Sequence, residues 1–116
     1  MKRITLALGV ALAALVAAAP VTARPTAATA TTVTVTMKEF KFTLSKKTVP
    51  HGTVTFKLVN KGKLDHDFKI AGKKSKLIKP GKSGKLIVTL KKGRLAYLCT
   101  VAGHAAAGMK GKLGVT

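Results

Sequence analysis

Four side chains of this sequence offer chemistry as a set. Cys99, the only cysteine, is followed by His104 and Met109 in YLCTVAGHAAAGMKGKLGV, and His66 stands upstream in LDHDFKI. One thiolate and two imidazoles in trigonal array, with a weak thioether on the axis, are the ligand set of a type 1 copper centre, whose chemistry is the gain and loss of single electrons. Taken alone, a lone cysteine is as readily a buried structural thiol, and a methionine beside a loop is often a gap filler. The spacing C-x4-H-x4-M, together with the upstream histidine, is what favours a metal. His51 follows a proline on a turn and reads as an exposed histidine outside the set.

The compartment comes next. Residues 1–23 place Lys2 and Arg3 before an apolar stretch from Ile4 to Ala19 and end in the small residues Val21-Thr22-Ala23. This is the pattern of a secretory signal peptide. A retained anchor is the competing reading, but the apolar core is short for a span, which needs about 20 residues. No paired arginine follows Met1 and no cysteine lies near the cleavage region, so twin-arginine export and a lipid anchor are not indicated. The expected location is therefore the periplasm, the cell envelope or the extracellular space. There, a lone exposed thiol would oxidise or cross-link chains, and a metal removes that hazard.

Residues 24–31 are small, polar and proline-containing and are expected to be a mobile leader. Residues 32–116 are enough for one small domain. Their pattern is all-β, with about seven or eight strands. TVTVTMKEFKFTL alternates through Val33, Val35 and Met37, then shifts phase to Phe40, Phe42 and Leu44, which predicts a bulge, a bend or a change of partner. GTVTFKLVN alternates through Val54, Phe56 and Leu58, and further short runs follow in HDFKI, KLIKPGKSGKLIVTL and GRLAYLC. KGKLGVT can close the fold. Short strands separated by turn residues suit a two-sheet sandwich. AGHAAAGM is too short and glycine-rich for a stable helix and reads as a loop. His66 then falls near the start of a strand, Cys99 at the end of one, and His104 and Met109 on the loop that follows.

At this point the sequence resembles the cupredoxins, the small blue-copper proteins of the plastocyanin and azurin kind. The resemblance runs from about Thr32 to Thr116 and includes EFKF, VPHGTVTFKLVNKG, DHDFKI and the closing YLCTVAGHAAAGMKGKLGV. It implies a Greek-key β-sandwich holding one copper ion. By the family pattern, His66, Cys99 and His104 are the strong equatorial ligands and Met109 the axial one. Two departures stand out. Asp67 follows His66 where several members have asparagine, and the lysine content is very high. Asp67 and Thr100 each immediately follow a ligand, so their side chains are expected to join the two ligand-bearing segments by a hydrogen bond. Asn60 is assigned to its own turn.

Other chemistries fit less well. One cysteine rules out a binuclear two-cysteine copper site, and no C-x-x-C-H exists for covalent haem. Structural zinc prefers four strong nitrogen or sulfur ligands. No G-x-S-x-G, H-E-x-x-H, phosphate loop or dinucleotide fingerprint occurs. The reading is thus a monomeric electron carrier without substrate turnover, with a copper-delivery protein of the same fold as the alternative.

Charge is the second large feature: 22 basic and 3 acidic residues give a net charge of +19. Such a field attracts acidic protein patches or anionic envelope surfaces. Nucleic acid is not expected, because of export and because the lysines are dispersed. The partners expected are a redox donor and acceptor with acidic docking surfaces. The electron is expected to pass at His104, through the uncharged surface of Ala102, Gly103, Ala105, Ala106 and Ala107. Phe40, Phe42, Phe56, Phe68 and Tyr97 are core or sheet-surface candidates, and the sequence does not say which of them shields the copper.

Overall fold

The computed structural model describes Gly9 and residues 30–116. All of the expected signal peptide but Gly9, and all of the leader but its last two residues, lie outside the described residues. Among the described residues nine strands form in chain order: β1 Thr31–Lys38, β2 Lys41–Leu44, β3 Thr48–Val49, β4 Gly52–Asn60, β5 Lys69–Ile70, β6 Lys73–Lys74, β7 Ser83–Leu90, β8 Gly93–Leu98 and β9 Lys110–Val115. The sequence pattern finds the long strands. The surplus over seven or eight lies in two-residue strands, too short to carry an alternation. β1 also begins at Thr31, one residue before the expected domain boundary.

The strands make two mixed sheets, in the orders β2-β1-β4-β7 and β3-β9-β8-β5-β6. β1 runs parallel to β4, and β3 parallel to β9; the other pairs are antiparallel. The chain passes repeatedly from one sheet to the other, and the inner faces meet in one core. Val33, Val35, Met37, Val54, Phe56, Leu58, Phe68 and Leu113 are completely buried there.

The phase shift between Met37 and Phe40 has a simpler origin than a bulge, a bend or a change of partner. It is a hairpin, with Lys38 opposite Lys41 and Glu39-Phe40 at the turn. Met37 pairs with Phe42 and Val35 with Leu44. That register sets odd residues of one strand beside even residues of the other. Both alternations therefore face the same core, and Phe40 leaves it for the turn.

Sheet edges carry lysine: Lys41 on β2, Lys85 on β7, Lys73 and Lys74 on β6. Charge at an open edge opposes pairing with another chain. Part of the basic surplus thus has a structural use.

Phe68 holds the two sheets together beneath the site. Its ring lies 5.3 Å from Phe42, 5.0 Å from Phe56 and 5.4 Å from Tyr97, spanning both sheets. Phe68→Ala is expected to cost about 3–5 kcal/mol, read as a lower midpoint in chemical denaturation. Phe68→Leu, which keeps most of the volume, should cost clearly less.

Candidate metal centre

His66 reaches the interior through backbone pairing. It exchanges both backbone hydrogen bonds with Ile78, at 3.1 and 2.7 Å, in an isolated bridge three residues ahead of β5. Asn60, at the end of β4, secures this approach. Its Nδ2 donates to the carbonyls of Leu64 and Ile78, both at 2.8 Å, and its Oδ1 accepts from the Gly62 N–H at 2.8 Å. Asn60 is completely buried. It forms the expected turn, and it also ties that turn to the segment on which His66 is paired.

Cys99 follows the last residue of β8, and the loop after it folds back on itself. The Cys99 N–H donates to the Met109 carbonyl at 3.0 Å, and the Met109 N–H to the His104 carbonyl at 3.1 Å. His104 donates to Val101, and Ala107 to both Gly103 and His104. A side chain at Gly108 would begin 3.1 Å from the Phe40 carbonyl, and its φ of 124° disfavours any other residue. That glycine lets the loop lie against the β1–β2 turn.

The result is a buried cluster. His66, Cys99 and His104 present one ligand atom each, all within 4.8 Å of one another. The two Nδ1 atoms are 3.1 Å apart, and Cys99 Sγ is 3.6 Å from His104 Nδ1. His66 is wholly buried, Cys99 1% exposed and His104 8%. Met109 is also fully buried. Two imidazoles crowding a thiol in an apolar interior make little sense for packing. As a donor set of two nitrogens and one sulfur, they suit one type 1 copper.

Asp67 and Thr100 join the two ligand segments. The Thr100 N–H donates to Asp67 Oδ1 at 2.6 Å, and the Thr100 hydroxyl donates to Asp67 Oδ2. The carboxylate accepts both bonds where an asparagine could accept through only one oxygen. Burial pushes the Cys99 thiol above its ordinary value; the backbone N–H groups of Asp67 and Val101 pull it down, and the Asp67 carboxylate adds to the rise.

Two residues were missed by sequence reasoning. Phe40 packs edge-on against His104 at 5.1 Å and remains 39% exposed. It is the aromatic that covers the cluster, which the sequence left unassigned. Glu39 accepts from the N–H groups of Lys63 and Leu64 at 2.5 and 2.6 Å and lies 3.4 Å from His66 Nε2. Desolvation raises its carboxyl, but these donors, its own N–H and the His66 ring outweigh that and hold it at about 2. One signal was available: the chain has only three acids, two of which flank His66. His51 stands apart, exposed and bonded at 2.9 Å to the Thr116 carbonyl. Ala102, Gly103, Ala106 and Ala107 are exposed around His104, and Ala105 is half-buried.

A family model described as a cupredoxin-like domain matches residues 6–115. Among solved structures, the chain is similar to the dithionite-reduced auracyanin of the photosynthetic bacterium Roseiflexus castenholzii, at 26% identity and a TM-score of 0.64, covering 75% of this chain and 98% of that one. It is similar in fold to auracyanin B, at 21% identity and TM-score 0.63, with 75% and 89% covered. Auracyanin A, a "blue" copper protein from the green thermophilic photosynthetic bacterium Chloroflexus aurantiacus, gives 22% identity and TM-score 0.61, with 73% and 98% covered. No curated protein matches the chain.

Two outcomes follow from this geometry. The raised thiol must lose its proton to bind a metal, so uptake releases a proton and competes with it. Below the pKa of Cys99, apparent copper affinity should rise about tenfold per pH unit from the thiol alone, measured by chelator competition corrected for the chelator's own protonation. Glu39 behaves oppositely: its folded pKa lies below the ordinary value of 4.5. The stability it adds is present above that value and disappears as pH falls towards about 2. Denaturation of the metal-free protein should show this loss, and Glu39→Gln should lack it.

Proposed function

The chain belongs to the cupredoxin-like domain family, and from that premise we propose that it is an exported carrier of single electrons between two redox proteins. His66, Cys99 and His104 hold the copper, with Met109 as the weak axial partner. The bound ion supplies a one-electron couple and, through the thiolate, an intense charge-transfer colour. The observation that carries this reading is the buried convergence of two imidazole Nδ1 atoms and one thiol within 4.8 Å.

The chain's own residues supply what a carrier needs. The hydrogen-bonded loop and the Asp67–Thr100 link hold the donors in place, so little need rearrange between oxidation states. The cluster is enclosed, with His66 wholly buried, Cys99 1% exposed and His104 8%. His104 lies nearest the surface, beneath Phe40 and the alanine loop. Leu64, 45% exposed, donates its backbone N–H to Glu39, the neighbour of Phe40. Lys38, Lys41, Lys61, Lys63 and Lys110 are exposed on the same segments. A small apolar contact gives a short electron path and fast release, while the surrounding lysines steer an acidic partner. Export to the periplasm or envelope agrees with the N-terminal pattern of residues 1–23.

Copper-loaded, oxidised protein is expected to be strongly coloured. Cys99→Ser should abolish the band, and Met109→Leu should shift the band and the potential with less loss of binding. A colourless protein after full Cu(II) loading would sink the assignment. Stoichiometric surrender of copper to an acceptor apoprotein, with slow electron self-exchange, would favour delivery over carriage.

The surface reading has its own test. An acidic residue in place of Ala106 should slow electron transfer and leave the spectrum nearly unchanged. Raising the salt should slow the reaction with an acidic partner. Unchanged rates across substitutions at Ala105, Ala106 and Ala107 would move the exit elsewhere.

A further inference from the structure

His66 Nε2 is a buried ring nitrogen with no hydrogen-bond partner. A ring that offers Nδ1 to a metal carries its proton on Nε2, and that N–H then needs an acceptor. Its ion-pair neighbour is Glu39 Oε1, at 3.4 Å. We propose that Glu39 is the acceptor that holds His66 in the metal-binding tautomer, and that its fixed charge biases the centre towards the oxidised ion; this rests on the copper reading above.

Three features make the carboxylate a built part of the site. First, it is tethered: the N–H groups of Lys63 and Leu64 both point at Oε1. The same oxygen that faces His66 is therefore fixed by the loop leading to His66. Second, room is reserved for it. A Cβ at Gly62 would lie 2.5 Å from Glu39 Oε2, so any side chain there would push the carboxylate away. Third, acids are scarce. Glu39, Asp65 and Asp67 are the only three in a chain of net charge +19, and two of them contact the ligand segments. Dense positive charge disfavours the more highly charged metal state. A carboxylate beside a ligand ring acts against that locally, where partial burial weakens screening. It also makes the imidazole a stronger donor, which favours Cu(II) over Cu(I).

The test uses the full copper-loaded chain. Glu39→Gln keeps an acceptor oxygen and removes the charge. It should keep the coloured band and raise the Cu(I)-over-Cu(II) affinity ratio about tenfold, a rise of about 59 mV in potential. Gly62→Ala, which displaces the carboxylate without removing it, should raise the potential in the same direction by less. In wild-type Cu(I) protein, the His66 Nε2–H should give a slowly exchanging NMR resonance, and this measurement requires no variant to fold. A coloured Glu39→Gln protein with wild-type potential overturns the charge assignment and leaves the copper reading intact. A rapidly exchanging Nε2–H in the wild type overturns the hydrogen bond. Wild-type protein that is colourless with Cu(II) overturns the copper reading itself, and this inference with it.

Discussion

Three polar groups must stay together in the interior of a small sandwich, and one of them, His66, arrives from a distant part of the chain. The Asp67–Thr100 contact answers that constraint. It fastens the residue after His66 to the residue after Cys99, with one backbone and one hydroxyl donor on a single carboxylate. Charge-assisted bonds of this kind are stronger than neutral ones. Ile78, Asn60 and Glu39 hold the approach to His66, and the Asp67–Thr100 link joins it to the Cys99 segment. A carboxylate at residue 67 therefore serves a positioning end that an asparagine would meet with one oxygen fewer.

The loop from Cys99 to Met109 solves a second problem. A chain that leaves a strand and returns to the next one must satisfy its own backbone groups. Here the turn does so internally, and its bonds tie the two cluster residues of the loop through Met109: Cys99 to Met109, and Met109 to His104. Ligand spacing and loop closure are thus one geometry. Residues on this loop can be small because neither packing nor sheet pairing asks for bulk. The same smallness leaves an uncharged surface over His104, completed by Phe40 from the opposite sheet.

Charge is organised on two scales. Lysines occupy strand edges and outer faces, where they oppose edge pairing. The few acids sit at the cluster end, where Glu39 and Asp67 face ligand segments. Carboxylates therefore face the His66 and Cys99 segments, while lysines on neighbouring residues are exposed to solvent. The His66 ring faces the Glu39 carboxylate, and the His104 ring faces Phe40.

Much of this was legible in the residues themselves. The cluster of His66, Cys99 and His104 could be named because thiol and imidazole are rare, chemically distinct groups here, and two of the three share one short loop. The all-β class followed from period-two alternation, and the Asp67–Thr100 pairing from adjacency to the ligands. What the chain order could not reveal was which residues from other segments meet these groups. The shift at Met37–Phe40 fits a bulge as well as a hairpin until the register of β1 on β2 is known. That register sends Glu39 and Phe40 out of the sheet and over the cluster, one beside His66 and the other against His104. Asn60 looks like an ordinary turn residue until its amide is seen reaching Ile78. Local pattern reports side-chain type and face, because both are properties of neighbouring residues. Contacts across the sandwich depend on how two sheets stack and on where each turn ends, and only the folded chain decides those.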